Sequence, residues 1–575
     1  MTRALGLAFL GSFALAACGA DPVQSVLLVT LDTTRADALG AYGARPSVTP
    51  RLDQLASEGV TFDWARTVTP TTLPAHTSML TGLYPHRHTV RDNSLSAVPL
   101  AATTVAERAS AAGLATAAFV SAKVLDRAFG LDQGFARYSQ PPREQDVVSS
   151  TGFSARSAAE TVAEASAWLG ELPADQPFFA WVHLFDPHRP WVAGEPWKTR
   201  AKGNPYLAEI AATDDAVGRL LDALRASGRY ERTTIVVVGD HGEGLGEHGE
   251  DSHAYFVYDS TLRVPLILRR ADGARAGERV DSQVTVADIG PTLCEALGIS
   301  NLPDADGMSL FAVAPPPSRG VYFESYYGFL HYGMAPLAGW ADSRGKYIHA
   351  TAPEFYEPLR APREPRNLIA ENAQLARSHL EALAQVLARP ALPAGTSLQN
   401  DAELLRGVRE LGYASAATLS GPLPDPLAAS ELPSPHARAI ELRTCEQAQL
   451  AFELGRFADT ERMLAGVLEE NPSNTFALEY LAHAQLRLGK LGLARTSFEN
   501  ALSRGPERAS TLRGLGVVLQ QQGDRAGAVT RWTRAAELDP SDLETLRMLL
   551  QSAQEAADSV AESRWREALK RASAP

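Results

Sequence analysis

Short apolar, β-branched runs alternate with stretches of helical periodicity from about residue 23 to residue 375. The runs "SVLLVTLD" (25–32), "TAAFV" (116–120), "FFAWVHL" (178–184), "TIVVVGD" (234–240) and "VPLIL" (264–268) are continuously apolar. That is the pattern of strands buried on both faces of a largely parallel sheet. Between them "TPRLDQLASEGV", "VAERASAAGL" and "YLAEIAATDDAVGRLLDALRASG" place apolar residues at helical spacing. Residues 23–375 therefore read as one large α/β domain, a mixed, mostly parallel sheet between helices.

The pattern breaks over 376–435. Pro390, Pro393, Pro422, Pro424, Pro426, Pro433 and Pro435 flank a single short helical run, "DAELLRGVRELGY". Prolines so spaced exclude a long helix or an inner strand, so this segment reads as a connector with short helices. From 436 to 570 the chain repeats itself. Gly455, Gly489 and Gly523 recur every 34 residues, as do Pro472, Pro506 and Pro540. Ala494, Phe498 and Ala501 match Ala528, Trp532 and Ala535, small residues where two helices cross with an aromatic filling the gap. The first unit is degenerate, with Thr460, Leu464 and Val467 at those positions. The period and pattern resemble tetratricopeptide repeats, an all-α solenoid. About three repeats cover 441–542, with a capping helix over Leu543–Leu569. Such arrays imply a protein or peptide partner, the bland alternative being a stabilising appendage.

With 575 residues, 45% of them apolar, the chain has ample length for a large core and is not a disordered polymer. A formal net charge of −13 lacks the positive field that nucleic acid demands, so nucleic acid is not an expected partner. Residues 1–17 combine Arg3, the apolar run Ala4–Ala17 and a small-residue ending before Cys18, the order of an export signal rather than a membrane span. "LAAC" resembles the lipobox of bacterial lipoproteins. That resemblance implies a lipidated Cys18, membrane attachment through acyl chains and an exported envelope protein; Gly19 favours the outer membrane. Only Cys294 and Cys445 remain in the body, too few for a disulfide framework.

Candidate chemistry gathers at strand ends. Asp32 follows the strand 25–31, and Asp240-His241 follow the strand 234–239. In an open parallel sheet, residues just past strand carboxyl ends line a shared crevice. Two carboxylates and an imidazole suit a divalent cation, and the glycines of "GDHGEGLGEHG" allow backbone to approach a ligand. In "TPTTLPAHTSMLTG" (69–82) Thr72 precedes a Leu-Pro step and reads as a helix N-cap, with the positive end of that helix facing any anion nearby.

Over about 25–375 the chain resembles the sulfatase branch of the alkaline phosphatase superfamily. The resemblance rests on "LLVTLDTTRADALGAYG", "TPRLDQLASEGVTFDWARTV", "TLPAHTSMLTGLYPHRHTVRDN", "HLFDPHRPW", "GDHGEGLGEHG", "YDSTLRVPLIL", "VTVADIGPTLCEALGI" and "DGMSL". It implies Asp32, Thr72, Asp240 and His241 as metal ligands, with Thr72 also the nucleophile. It implies Asn93 as the holder of a substrate oxygen, His188 as a contact to the transferred group or its leaving oxygen, and His253 as a weaker substrate contact. Sulfatases open the active-site helix with a Cys or Ser that becomes formylglycine, followed by x-Pro-Ser-Arg. Here the stretch reads Thr72-Leu73-Pro74-Ala75-His76, so no formylglycine is expected. Thr33 stands where many sulfatases have a second Asp, and His241 where they have Asn. An imidazole ligand favours Zn²⁺ or Mn²⁺, with Ca²⁺ or Mg²⁺ as alternatives.

Other residues invite assignment. His86 and His88 read as pocket-lining or solvated loop residues, and His248 as a hydrogen-bonding support. Asp186 reads as an orienter of His183 or His188 or a ligand of a second metal, and Lys123 as a surface lysine. The expected function is a metal-dependent hydrolase of sulfate or phosphate-type esters, acting on an anionic ester substrate. A phosphodiesterase or phosphonate-ester hydrolase is the alternative within the superfamily, and a catalytically inactive envelope scaffold the alternative outside it.

Overall fold

The computed structural model describes residues 24–93, 96–141, 155–311, 315–395, 423–505, 507–540 and 542–572. The signal segment with Cys18 and the helical run "DAELLRGVRELGY" lie outside the described residues.

Eight strands form the main sheet: β1 (Ser25–Leu31), β2 (Val60–Arg66), β3 (Ala115–Phe119), β4 (Arg137–Ser139), β5 (Phe178–Leu184), β6 (Thr233–Gly239), β7 (Leu266–Arg269) and β8 (Arg279–Thr285). Their order is β4-β3-β5-β1-β6-β7-β2-β8. The first five in that order run parallel, whereas β7 is antiparallel to both β6 and β2. β1, β5 and β6 are buried at every position, as continuous apolar runs require. Period two sends Val26 and Leu28 to one face and Leu27, Val29 and Leu31 to the other. The second face is covered by the helices Pro50–Ser57, Ala158–Glu171 and Pro205–Ala226. The first is covered by the helices Thr72–Thr81, Val105–Ala111 and Ile289–Leu297.

Several features depart from the sequence reading. β2 and β8 carry too many polar positions to register as inner strands: "RVDSQVT" is exposed at its first and third residues. A second, antiparallel sheet of β9 (Val321–Ser325), β10 (Leu337–Asp342), β11 (Gly345–His349) and β12 (Glu354–Tyr356) was not expected at all. The helix Ala373–Leu387 packs on that sheet through the fully buried His379 and Leu383, so residue 375, read as the end of the α/β domain, falls inside a helix that belongs with it.

The C-terminal part is a series of helix pairs: Ala439–Glu453 with Phe457–Glu470, Thr475–Arg487 with Leu491–Arg504, Ala509–Gln521 with Arg525–Leu538, and Leu543–Glu555 with Ser559–Ala572. The expected single capping helix over Leu543–Leu569 is thus a pair, broken where Ala557 takes a φ of 54°. Gly455, Gly489 and Gly523 have φ of 73°, 74° and 90°, the left-handed turn that ends the first helix of each unit. Ala494, Phe498, Ala528, Trp532 and Ala535 are buried, and so are Thr460 and Leu464 of the degenerate unit. One continuous apolar core joins the main sheet to Leu442, Cys445, Leu464 and Ala477 of the helical array. Cys294 and Cys445 are both free and buried. Among the described residues, no helix is long and apolar enough to cross a membrane.

Candidate active site

Strand register assembles the site. Leu31 pairs with Leu184 on one side and Gly239 on the other, so the residues following β1, β5 and β6 emerge together at the carboxyl edge. Asp32, Asp240 and His241 bring ligand atoms within 4.8 Å of one another, all fully buried. Nε2 of His241 lies 3.6 Å from Oδ2 of Asp240 and 3.9 Å from Oδ1 of Asp32. Oδ1 of Asp240 accepts from the backbone N–H of Thr33 at 3.1 Å and of His241 at 2.7 Å. Presenting that Thr33 N–H needs a φ of 46°, a strained value for a β-branched residue and one kept at a functional turn. Gly242 and Gly244 permit close packing of the following loop, since a Cβ there would meet Ser260 O at 2.2 Å or Glu250 O at 2.3 Å.

Both carboxylate oxygens of Asp32 and Oδ2 of Asp240 are buried with no hydrogen-bond partner among the described residues. Buried orphan oxygens are costly unless a cation meets them. Burial, opposed by His188 and His241, pushes the Asp32 carboxyl above its usual range. Burial and the Asp32 charge do the same to Asp240. For His241, burial is outweighed by Asp240 and Asp32, and its pKa rises. Nδ1 of His241 lies 3.0 Å from Gly242 O, a pure acceptor, so Nδ1 carries a proton and Nε2 faces the carboxylates, where a proton or a cation is favoured. This donor set fits a divalent metal held by Asp32, Asp240 and His241.

Thr72 opens the helix Thr72–Thr81, but Thr71 rather than Thr72 is its N-cap residue. Released from capping, the Thr72 hydroxyl lies 3.3 Å from Nε2 of His241. Oδ1 of Asn93 takes the capping role, accepting from Leu73 N at 2.8 Å, and Nδ2 of Asn93 is buried with no hydrogen-bond partner among the described residues. The His253 ring lies 4.5 Å from that of His241 and 5.1 Å from that of His188, and Phe185 stacks on His188 at 4.5 Å. Nδ1 of His188 donates to Arg189 O at 2.5 Å, and burial lowers its pKa to about 4. All the sequence-predicted site residues therefore converge: Asp32, Thr72, Asn93, His188, Asp240, His241 and His253.

The other candidates separate. His88 meets Ser78 Oγ at 3.0 Å, and His86 packs among Tyr84 and Tyr322. His248 stacks on Tyr258 and accompanies Arg363 O at 3.0 Å. Asp186 accepts from Ala158 N at 2.6 Å, supporting the Ala158–Glu171 helix rather than His183 or His188. Lys123 is no surface residue: it is 1% exposed, and Nζ has no hydrogen-bond partner among the described residues.

Sequence reasoning missed His76, His183 and Glu243. His183 pairs in register with Thr30, two residues before Asp32, and its Nε2 lies 3.4 Å from Oδ2 of Asp32. Burial lowers its pKa to about 4. His76, His183 and Asp240 form a second group of clustered donors. His76 is nonetheless fully engaged: Trp181 Nε1 donates to Thr30 Oγ1, leaving the Thr30 hydroxyl to donate to Nε2 and Nδ1–H to donate to Thr72 O at 2.8 Å. It holds the backbone carbonyl of Thr72 in place. Glu243, buried in the glycine loop, sits 3.5 Å from Nδ1 of His253.

Residues 24–299 match the sulfatase family model. The uncharacterized sulfatase YidJ of Escherichia coli (strain K12) is 26% identical over 416 residues, 60% of this chain and 82% of that protein. The Delta 4,5-hexuronate-2-O-sulfatase of Bacteroides thetaiotaomicron is 25% identical over 429 residues, 63% and 87% of the two chains. Among solved structures, the phosphonate monoester hydrolase of Agrobacterium radiobacter shares the fold with a TM-score of 0.54 at 23% identity, over 64% of this chain and 95% of that one. Residues 24–299 thus carry a sulfatase-family domain, and the chain is an ester hydrolase with homologues in the alkaline phosphatase and sulfatase superfamily.

Proposed function

We propose that the protein is a metal-dependent hydrolase of sulfate or phosphate-type esters that uses Thr72 as its nucleophile in place of formylglycine. The observation that carries this reading is the Thr72 hydroxyl 3.3 Å from His241, beside the orphan carboxylate oxygens of Asp32 and Asp240. Asp32, Asp240, His241 and Thr72 would hold the cation, Zn²⁺ or Mn²⁺ by the imidazole in the set. When bound it supplies positive charge against the Thr72 oxygen and the ester oxygens.

The chain's own residues do the rest. Thr72 Oγ, its proton passed to water, attacks sulfur or phosphorus, forming the Oγ–S or Oγ–P bond as the bond to the leaving oxygen breaks with its electron pair. Asn93 Nδ2 and the amino end of the Thr72–Thr81 helix stabilise the non-bridging oxygens. The resting His188 is neutral with its proton on Nδ1, so Nε2 is an acceptor. An anionic ester beside it favours the imidazolium, which then protonates the departing alcohol. Water next cleaves the threonine ester, releasing sulfate or phosphate and restoring the hydroxyl. Threonine has no second hydroxyl on Cβ, so the ester cannot collapse to an aldehyde and must be attacked at sulfur or phosphorus.

That constraint, with Asn93 and His241, favours a phosphodiester or phosphonate ester as the second reading. The deciding experiment assays Mn²⁺- and Zn²⁺-loaded protein on para-nitrophenyl sulfate, para-nitrophenyl phosphate and bis-para-nitrophenyl phosphate. Turnover of one class assigns the substrate, and inertness toward all three with no stoichiometric metal favours an inactive scaffold. We further propose attachment to the cell envelope through Cys18 and a peptide partner for the helical array.

A further inference from the structure

A buried polar chain runs from the helical array to Asp92, the sequence neighbour of Asn93. Arg508, just before the Ala509–Gln521 helix, is 5% exposed. Its Nη2 donates to Leu330 O at 3.1 Å and lies 3.4 Å from Nδ1 of His331, while its Nε lies 3.6 Å from Oε2 of Glu479. Arginine only donates, so Nδ1 of His331 accepts and the proton of the neutral ring sits on Nε2. That nitrogen is 3.4 Å from Oδ2 of the buried Asp92. Burial holds His331 below its ordinary pKa, in keeping with a neutral ring. The helix Tyr327–Tyr332 that carries His331 is pinned by Thr475 Oγ1, which donates to His331 O at 3.1 Å, and by the Phe476 ring on Tyr332 at 5.2 Å. Asp92 adjoins Asn93, which caps Leu73, the neighbour of Thr72.

We propose that Arg508 and His331 are positioning residues for the hydrolytic site. Arg508 sets the tautomer of His331, His331 orients Asp92, and the adjoining Asn93 carboxamide is thereby aimed at the amino end of the nucleophile helix. The inference rests on the reading of Thr72 as nucleophile. It gives the helical array a part in turnover besides any partner it binds. Small misplacements at a reacting centre cost rate steeply, which is why a contact remote from Thr72 matters.

The test uses the full chain loaded with Mn²⁺ and the three para-nitrophenyl esters. Arg508→Met and His331→Ala should lower kcat about tenfold with KM changed less than about twofold, in protein that remains folded at the assay temperature. His331→Gln should recover most of the rate, because its carbonyl oxygen can accept from Arg508 and its amide can donate to Asp92. Independently of turnover, ¹⁵N-histidine NMR should show a signal, absent in His331→Gln, with the Nε2–H pattern in the parent and a shift toward the doubly protonated ring in Arg508→Met, where Nδ1 loses its donor and the ring keeps its Asp92 partner. Parental kcat in both variants, His331→Gln as slow as His331→Ala, or an Nδ1–H tautomer in the parent each overturns the proposal. If the parent turns over no ester, the Thr72 reading fails, and the tautomer measurement still decides the link from Arg508 to Asp92.

Discussion

The Thr72 hydroxyl lies 3.3 Å from Nε2 of His241, so the start of one helix meets the carboxyl end of β6 across 169 residues of chain. Thr72→Ala should lower kcat at least about 10³-fold and weaken metal binding while leaving the melting temperature of the metal-free protein near the parental value, and Thr72→Ser should keep a measurable rate. Kinetics, elemental analysis and calorimetry on the same preparations check this. An alanine variant of parental activity would remove Thr72 from the reaction.

Metal removal should destabilise the protein, because the cation compensates buried carboxylate oxygens. At free metal about 100-fold above Kd, the expected loss on chelation is about 2.7 kcal/mol. Asp32→Asn should blunt that response and leave the metal-free protein at least as stable as metal-free parent, since one buried charge is gone. Thermal melts with and without a chelator measure both effects.

Two glycine substitutions should act in opposite directions. A Cβ at Gly242 would sit 2.2 Å from Ser260 O, so Gly242→Ala must displace the loop carrying His241 and should cost about 10²-fold in kcat. Gly170 lies in the Ala158–Glu171 helix with open space around its Cβ, and Gly170→Ala should add about 0.5–1 kcal/mol of stability with kcat unchanged. Paired melts and rates separate the two cases.

His436 should confer acid lability. It is packed against Phe256 and Tyr258 with neither ring nitrogen hydrogen-bonded among the described residues, and burial lowers its pKa to about 3. A depressed histidine binds fewer protons folded than unfolded, so its contribution is intact above the unfolded pKa of about 6.5 and is lost as pH falls toward 3. The slope reaches about 1.4 kcal/mol per pH unit at most. Urea titrations from pH 7 to pH 4 should show a shallower decline in His436→Phe than in the parent.

Much of this was legible because the central strands are continuous apolar runs. Asp32 and Asp240 stand one residue beyond strands whose register aligns, so the pattern alone located the crevice. What escaped notice depends on neighbours that no local pattern records. His183 is an inward-facing residue of a strand whose apolar surroundings disguise it, and its relation to Asp32 exists only through the pairing of Thr30 with His183. Lys123 was misjudged because lysine is ordinarily solvated, and only the sheet above it decides otherwise. Thr72 resembles a helix cap in sequence, and it is the long-range hydrogen bond from Leu73 to Asn93 that frees its hydroxyl. β8 was hidden by polar residues on a half-covered strand, and the second sheet by short strands that bury polar and small residues among the apolar ones.

The unbroken apolar interior that runs from Val26 to Ala477 makes the two halves of the molecule inseparable in practice. Severing the chain ahead of Ala439 would bare a greasy scar around Tyr332 and leave the stump prone to clumping, so the C-terminal helices travel with the enzyme as part of its casing.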